Sequence, residues 1–183
     1  MGGPKTYHNP VNGEFARIVA SSEDTNGEYS LLEVSLSPGG GNPLHYHTRF
    51  TEEFFAVKGK LGLQYERSTV YLGTGEQQLI PIGIPHRFFN DSPEEIIFRV
   101  MLRPGQPGFE NFLKAMFGLV NDGKTITRNQ IPKHIYHIAV MHNWGDTHLA
   151  SLPFRIVSPL VRIFYRRAVK LGIERELLER YCR

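Results

Sequence analysis

Between residues 14 and 103 the sequence falls into a series of short segments broken by turn signals. Short apolar and β-branched runs stand at 15–20, 29–36, 53–57, 60–65, 77–80, 86–89 and 95–102. Asn26-Gly27, Pro38 with Gly39 to Gly41, Lys58-Gly59, Gly73-Thr74-Gly75 and Pro81-Ile82-Gly83 break them apart. Runs this short at this spacing signal an antiparallel sandwich or barrel. The 12 Phe and 8 Tyr favour strands, and the 18 Gly and 12 Pro supply the turns. A chain of 183 residues has room for one such domain with an extension, and too little for two full-sized enzyme domains.

The extension begins after Arg103-Pro104-Gly105, where the periodicity changes. Phe109, Phe112, Leu113, Met116, Phe117 and Val120 recur at helical intervals, and Asn121-Asp122-Gly123 closes that segment. A second helix is expected over 131–142 with Ile135, Ile138, Ala139 and Met141 facing inward, followed by Trp144-Gly145-Asp146 as a loop. A third is expected to be capped by Ser158, with Pro159 at its first position and Gly172 at its stop. A last turn or two over 174–181 follows. The expected organisation is a mainly β domain over 1–104 with a helical extension over 105–183 packed on it.

Composition narrows the function classes. Hydrophobic residues at 40% and charged residues at 21% fit neither a disordered chain nor a membrane-spanning one. No apolar stretch approaches a membrane helix and the N-terminus lacks a secretory pattern, so a cytoplasmic protein with no transmembrane segment is expected. The start from Met1 to Thr6 formally satisfies the myristoylation pattern, which we read as coincidence. The single Cys182 excludes an internal disulfide and a thiolate metal cluster. Charge is uneven: residues 155–183 carry eight Arg and Lys against three Glu, and the remainder is net negative. The plain reading of that basic segment is a solvated helix face, and the sharper one is a stripe that meets an acidic partner, a membrane surface or nucleic acid. There is no phosphate-binding glycine loop, nucleophile elbow or zinc-finger spacing, so nucleic acid is not an expected partner.

The residues that promise chemistry lie in GGGNPLHYHTRFTEEFFAVKG, residues 39–59. His45 and His47, two apart in a strand-like context, share a face. Glu52 opens the next strand, and pairing of that strand back on the first would carry its carboxylate toward the imidazoles. His86 supplies a third imidazole, after a turn built on Pro81 and Gly83. Three neutral imidazoles and one carboxylate suit one divalent iron, manganese, nickel, cobalt or zinc ion. Six-coordinate metal would keep two positions open for a bidentate oxygen substrate, or for substrate and dioxygen; tetrahedral zinc would keep none.

The spacing Gly-x5-His-x-His-x4-Glu-x6-Gly falls on Gly39, His45, His47, Glu52 and Gly59. The spacing Gly-x5-Pro-x-Gly-x2-His-x3-Asn falls on Gly75, Pro81, Gly83, His86 and Asn90. In both, and in the short gap of 15 residues between them, the chain resembles a small single-domain bacterial cupin over residues 6–103. The resemblance implies a double-stranded β-helix, or jelly-roll barrel, with the metal inside. It implies dioxygenase or oxalate-processing chemistry on a small molecule, with Glu52 also able to accept a proton when a substrate displaces it. Redox-neutral isomerase or lyase work and non-catalytic ligand binding are also found in such barrels. A homodimer formed through barrel edges is expected on the same ground.

Strand alternation aims Phe54 and Ala56 to the side of Glu52, and Phe88 and Asn90 to the side of His86, as substrate-pocket candidates. Arg99, a charge in the apolar run 96–102, either reaches solvent or meets a carboxylate substrate. His134, His137 and His142 lack a nearby carboxylate and are read as surface or packing residues.

Overall fold

The computed structural model describes residues 6–126, 130–150 and 152–183, with 152–159 described by backbone alone. The Met1-Gly2 opening of the lipidation pattern lies outside the described residues. The chain divides into two compact units, Met1–Pro107 and Gly108–Arg183.

The first unit is built from β1 (Thr6–Asn9), β2 (Glu14–Ala20), β3 (Ser30–Leu36), β4 (His45–Tyr46), β5 (Thr51–Lys58), β6 (Leu61–Tyr65), β7 (Ser68–Leu72), β8 (Gln77–Ile80), β9 (His86–Phe89) and β10 (Ile96–Arg103). One antiparallel sheet runs β1-β2-β3-β10-β5-β8, and a second carries β4-β9-β6-β7 in that order. Alternation decides which face of the first sheet is buried. Leu32, Val34 and Leu36 of β3, Phe54 and Ala56 of β5, and Ile96, Phe98, Val100 and Leu102 of β10 are all buried. The register sets Phe98 against Val34 and Ala56, and Val100 against Leu32 and Phe54, so one continuous apolar face forms. Each such Phe or Leu contributes about 1.5–3 kcal/mol by leaving water. The second sheet closes over this face: the Phe88 ring of β9 lies 5.0 Å from Phe98 and 6.2 Å from Phe54. This is the mostly β jelly-roll arrangement anticipated for the region.

β1 and β7 were not anticipated. Both are outermost in the stated strand orders, and most of their residues are exposed or half-buried, so they carry no apolar alternation to read. Turn glycines hold the strand ends. Gly59 sits at φ 80°, and a Cβ there would come within 2.7 Å of Ile96 Cγ2, so both its backbone and its lack of side chain are used.

The second unit holds α1 (Pro107–Asn121), α2 (Ile135–Gly145), α3 (Leu152–Lys170) and α4 (Ile173–Tyr181). Ala115, Leu119, Val140, Met141, Trp144, Ala168 and Leu177 form its core. α1 and α4 fall where the periodicity placed them. α2 is shifted toward the C-terminus, because the backbone before it is already committed: Ile126 N donates to Ile131 O at 2.8 Å and Lys133 N to Lys124 O at 2.9 Å. Its buried set moves with it. Ile135 is 47% exposed, whereas Trp144, expected in a loop, is a buried helical residue whose indole N–H donates to Glu174. α3 opens at Leu152, so Ser158 and Pro159 stand inside the helix rather than at its start. The other proline, Pro153, occupies the first turn, where a missing N–H costs least. The side chains of Ser158 and Pro159 lie outside the described residues. Among the described residues no helix is long and apolar enough to cross a membrane.

Candidate metal centre

His45, His47, Glu52 and His86 are each buried, and their ligand atoms lie within 4.8 Å of one another. Two sheets supply them. β4 pairs with β9 so that His45 stands opposite His86. The sequence-based expectation that the Glu52 strand pairs back on the His45 strand does not hold: β5 lies between β10 and β8 in the other sheet. The carboxylate therefore reaches the imidazoles across the barrel interior, not along a hairpin. His47 lies just past the end of β4, where both its backbone and its ring are held. Its carbonyl accepts from Gly83 N at 2.8 Å, and its ring stacks on buried Phe50 with centroids 4.3 Å apart. Gly83 reaches that carbonyl from a turn at φ 80°, a conformation suited to glycine.

Backbone carbonyls fix the ring orientations. His45 Nδ1 donates to Pro43 O and His86 Nδ1 to Ile84 O, both at 2.9 Å, so each Nε2 faces the cluster. His45 and His47 bring their Nε2 atoms to 3.1 Å. His86 Nε2 lies 2.6 Å from Glu52 Oε2, with His47 Nε2 at 3.5 Å from the same oxygen. Burial, reinforced by His47, pushes the His45 imidazole down to about 3, so it is neutral with a bare Nε2 lone pair at physiological pH. Burial alone would raise the Glu52 carboxyl, but the His47 and His86 imidazoles outweigh it and hold the group below the usual carboxylate range. Burial also lowers His86, and the Glu52 carboxylate more than reverses that, raising it. Converging nitrogen lone pairs beside a carboxylate are the donor set of a divalent cation. The residues fit one, and His86 gives up its Nε2 proton when it ligates.

These shifts predict the stability of chelator-stripped protein. On unfolding, His45 returns to its ordinary value of 6.5, so between there and about 3 the unfolded chain binds a proton that the folded chain refuses. Stability is lost as pH falls through that window, and the depressed Glu52 adds to the loss on acidification. The raised His86 works oppositely: its contribution is present below 6.5 and is lost as pH rises through its folded value. Thermal melts are expected to peak near neutrality, and a flat profile between about pH 4 and 8 contradicts this assignment.

The pocket candidates separate. Phe54 lies edge-on to His86, centroids 6.1 Å apart, and Phe88 lies beside it, so these two rings wall the cluster. Ala56 is on the same face one step further along β5, opposite Phe98 in the apolar core. Asn90 does not serve the pocket. Its Nδ2 donates to Leu36 O and Glu94 O, and its Oδ1 accepts from Ser92 N and Oγ, which uses the amide up in clamping a turn. Asn90→Ala is expected to cost about 2–3 kcal/mol in denaturant unfolding while metal content is unchanged; loss of metal would instead place Asn90 in the site. Arg99 likewise stands outside the pocket: of its two readings the solvent-facing one holds. It alternates with the buried Phe98 and Val100, its side chain is 42% exposed, and its Nε donates to Glu33 at 2.9 Å, which also pairs with Arg17.

A polar pair escaped the sequence reading. In register, Tyr65 of β6 stands opposite His86 and Gln78 of β8 opposite Phe54. Tyr65 Oη lies 3.5 Å from Gln78 Oε1, spanning the two sheets beside the cluster. Nothing in Gln77-Gln78 marks which of the two amides turns inward; only the pairing with β5 decides it.

Residues 32–102 match the family model of the cupin domain. Among curated proteins the chain is 30% identical over 125 residues to germin-like protein subfamily 3 member 2 of Arabidopsis thaliana, a span of 63% of this chain and 55% of that one. It is 33% identical over 97 residues to oxalate oxidase GF-2.8 of Triticum aestivum, covering 49% of this chain and 43% of that one. The chain thus spans about half the length of the curated relatives it matches. Among solved structures, a predicted oxalate decarboxylase of Thermotoga maritima aligns with TM-score 0.50 and 17% identity over 55% of this chain and 91% of that one. An RmlC-like cupin of Shewanella frigidimarina aligns with TM-score 0.50 and 16% identity over 58% and 89%. At such identities the structural likeness speaks for the fold.

Proposed function

This chain carries a cupin domain, and on that footing we propose that it is a metal-dependent oxidoreductase of the oxidase or dioxygenase type, acting on a small oxygen-donor molecule such as an organic acid. The observation that carries the reading is the convergence of three imidazoles and one carboxylate, all buried, within 4.8 Å. The similarity to a curated oxalate oxidase supports the oxidative direction. A divalent iron or manganese ion held there supplies polarisation of substrate oxygens and electron exchange with dioxygen.

The protein's own contribution is positional. His45 and His86 are oriented by the carbonyls of Pro43 and Ile84, which aim Nε2 inward without further adjustment on binding. Phe54 and Phe88 keep bulk water from one side of the centre. Tyr65 and Gln78 offer a hydroxyl and an amide for hydrogen bonds to a polar substrate. Glu52, ionised at rest, takes the proton that an acidic substrate gives up once that substrate displaces it from His47 and His86.

Oxygen-electrode assays of protein reconstituted with Fe(II) or Mn(II), against small dicarboxylic acids, diketones and phenols, test the proposal. Oxygen uptake dependent on both metal and substrate is the expected result. Turnover that proceeds unchanged without oxygen overturns it in favour of redox-neutral isomerase or lyase chemistry.

A further inference from the structure

Residues 147–173 contain Arg155, Arg162, Arg166, Arg167 and Lys170 and not one Asp or Glu. Successive residues of a helix turn by about 100°, which sorts this stretch of α3 into three faces. Val161, Tyr165 and Ala168 share the first face: Ala168 is wholly buried and Tyr165 packs on the helical core, its hydroxyl donating to Glu174. About a third of a turn round, Leu160, Ile163 and Phe164, with Leu171 just past the helix end, are 52%, 63%, 37% and 52% exposed, the Phe164 ring lying 6.2 Å from Tyr136 at the edge of the packed side. Arg162, Arg166 and Lys170 stand at four-residue intervals beside that stripe, all exposed, and Arg167 interrupts it.

Large apolar side chains left in water beside a cationic band, with no anion on the helix, form the pattern of a helix that lies in a bilayer interface. A flat anionic surface satisfies both faces at once. The Leu, Ile and Phe side chains enter the acyl boundary, and Arg and Lys stems run along it while their charges stay at the headgroups. No shape-matched groove is needed. The carboxylate of α4 nearest in sequence, Glu174, is turned to the packed side by Trp144 and Tyr165 and does not oppose a negative surface. The helix is too polar to span, so it lies on the surface instead of crossing it. We propose that α3 docks this protein on an anionic lipid bilayer. This rests on the second unit alone and is independent of the metal chemistry.

Flotation of the full chain with phosphatidylcholine vesicles, with and without about 30 mol % phosphatidylglycerol, tests it. At least roughly tenfold stronger partitioning to the anionic vesicles is expected. Replacing three cations (Arg162→Gln, Arg166→Gln, Lys170→Gln) is expected to weaken it roughly a hundredfold. Ile163→Ser with Leu171→Ser is expected to weaken it at least about tenfold, because electrostatics alone does not replace the inserted side chains. All five positions are exposed, so an unchanged melting temperature certifies the fold of both variants. Equal binding to neutral and anionic vesicles, or anionic binding that survives the apolar double substitution, overturns the proposal. So does absence of vesicle binding together with a solution dimer that Ile163→Ser dissociates, which assigns the stripe to a second copy. Retention on polyglutamate without vesicle binding also overturns it and assigns the face to an acidic polypeptide.

Discussion

Glu52→Gln protein is expected to keep its metal and lose about two to four orders of magnitude in kcat. Glutamine has nearly the shape of glutamate, and its amide oxygen can still ligate beside His45, His47 and His86. What it cannot do is carry a negative charge or accept a proton. The wild-type carboxylate is held ionised by His47 and His86 against the cost of its burial, so it starts unprotonated and becomes an effective base once a substrate displaces it from those imidazoles. The substitution also removes the partner that raises His86, whose Nε2 then presents a free lone pair more readily. Metal content measured beside kcat and KM separates the two roles. Retained metal with a lower kcat and little change in KM supports proton transfer by Glu52. Full activity confines Glu52 to holding the ion.

The second large effect is on metal-coupled stability. Stripped wild-type protein is expected to gain about 3 kcal/mol of unfolding free energy when metal is restored to about a hundred times its Kd. His45→Ala/His47→Ala protein is expected to gain nothing. The two histidines bring their Nε2 atoms to 3.1 Å, and deleting both leaves one imidazole and one carboxylate in a cavity shaped for four donors. Before metal is added, the double variant, though destabilised by the cavity it opens, should lose less stability on mild acidification than the stripped wild type. Removing His45 removes a buried group that the folded chain keeps unprotonated at a cost as pH falls. Melting temperatures with and without metal, read at two pH values, check both statements. Equal metal stabilisation of wild type and variant would move the binding site elsewhere.

The four residues of the cluster were legible as candidates because spacing travels with them: two residues along a chain, or a turn glycine followed by a histidine, survive whatever the sheets do. The route by which they meet was not. That Glu52 arrives from the facing sheet depends on β5 pairing with β10 and β8, and such pairings are made between segments far apart in sequence. The same limit hid Tyr65 and Gln78, whose meeting depends on a cross-barrel register. Alternation placed Phe54, Ala56 and Phe88 on the buried side, because period two follows directly from strand geometry. It could not say that Asn90 would spend its amide on Leu36, Ser92 and Glu94, nor that Arg99 would find Glu33. In α2 the apolar residues recur almost all round, so periodicity left its register open; the antiparallel bridge of Thr125 with Pro132 set its start. Ser158 with Pro159 made a credible cap, but Pro153 offered the same first-turn signal six residues earlier, and the helix uses that one.

The most direct test of the central claim is elemental analysis of the full chain purified without chelator or affinity metal. The account predicts close to one equivalent of a divalent transition ion, with iron or manganese matching the oxidative reading. A chain that carries no metal, and takes up none when iron, manganese, nickel, cobalt or zinc is added, would contradict it.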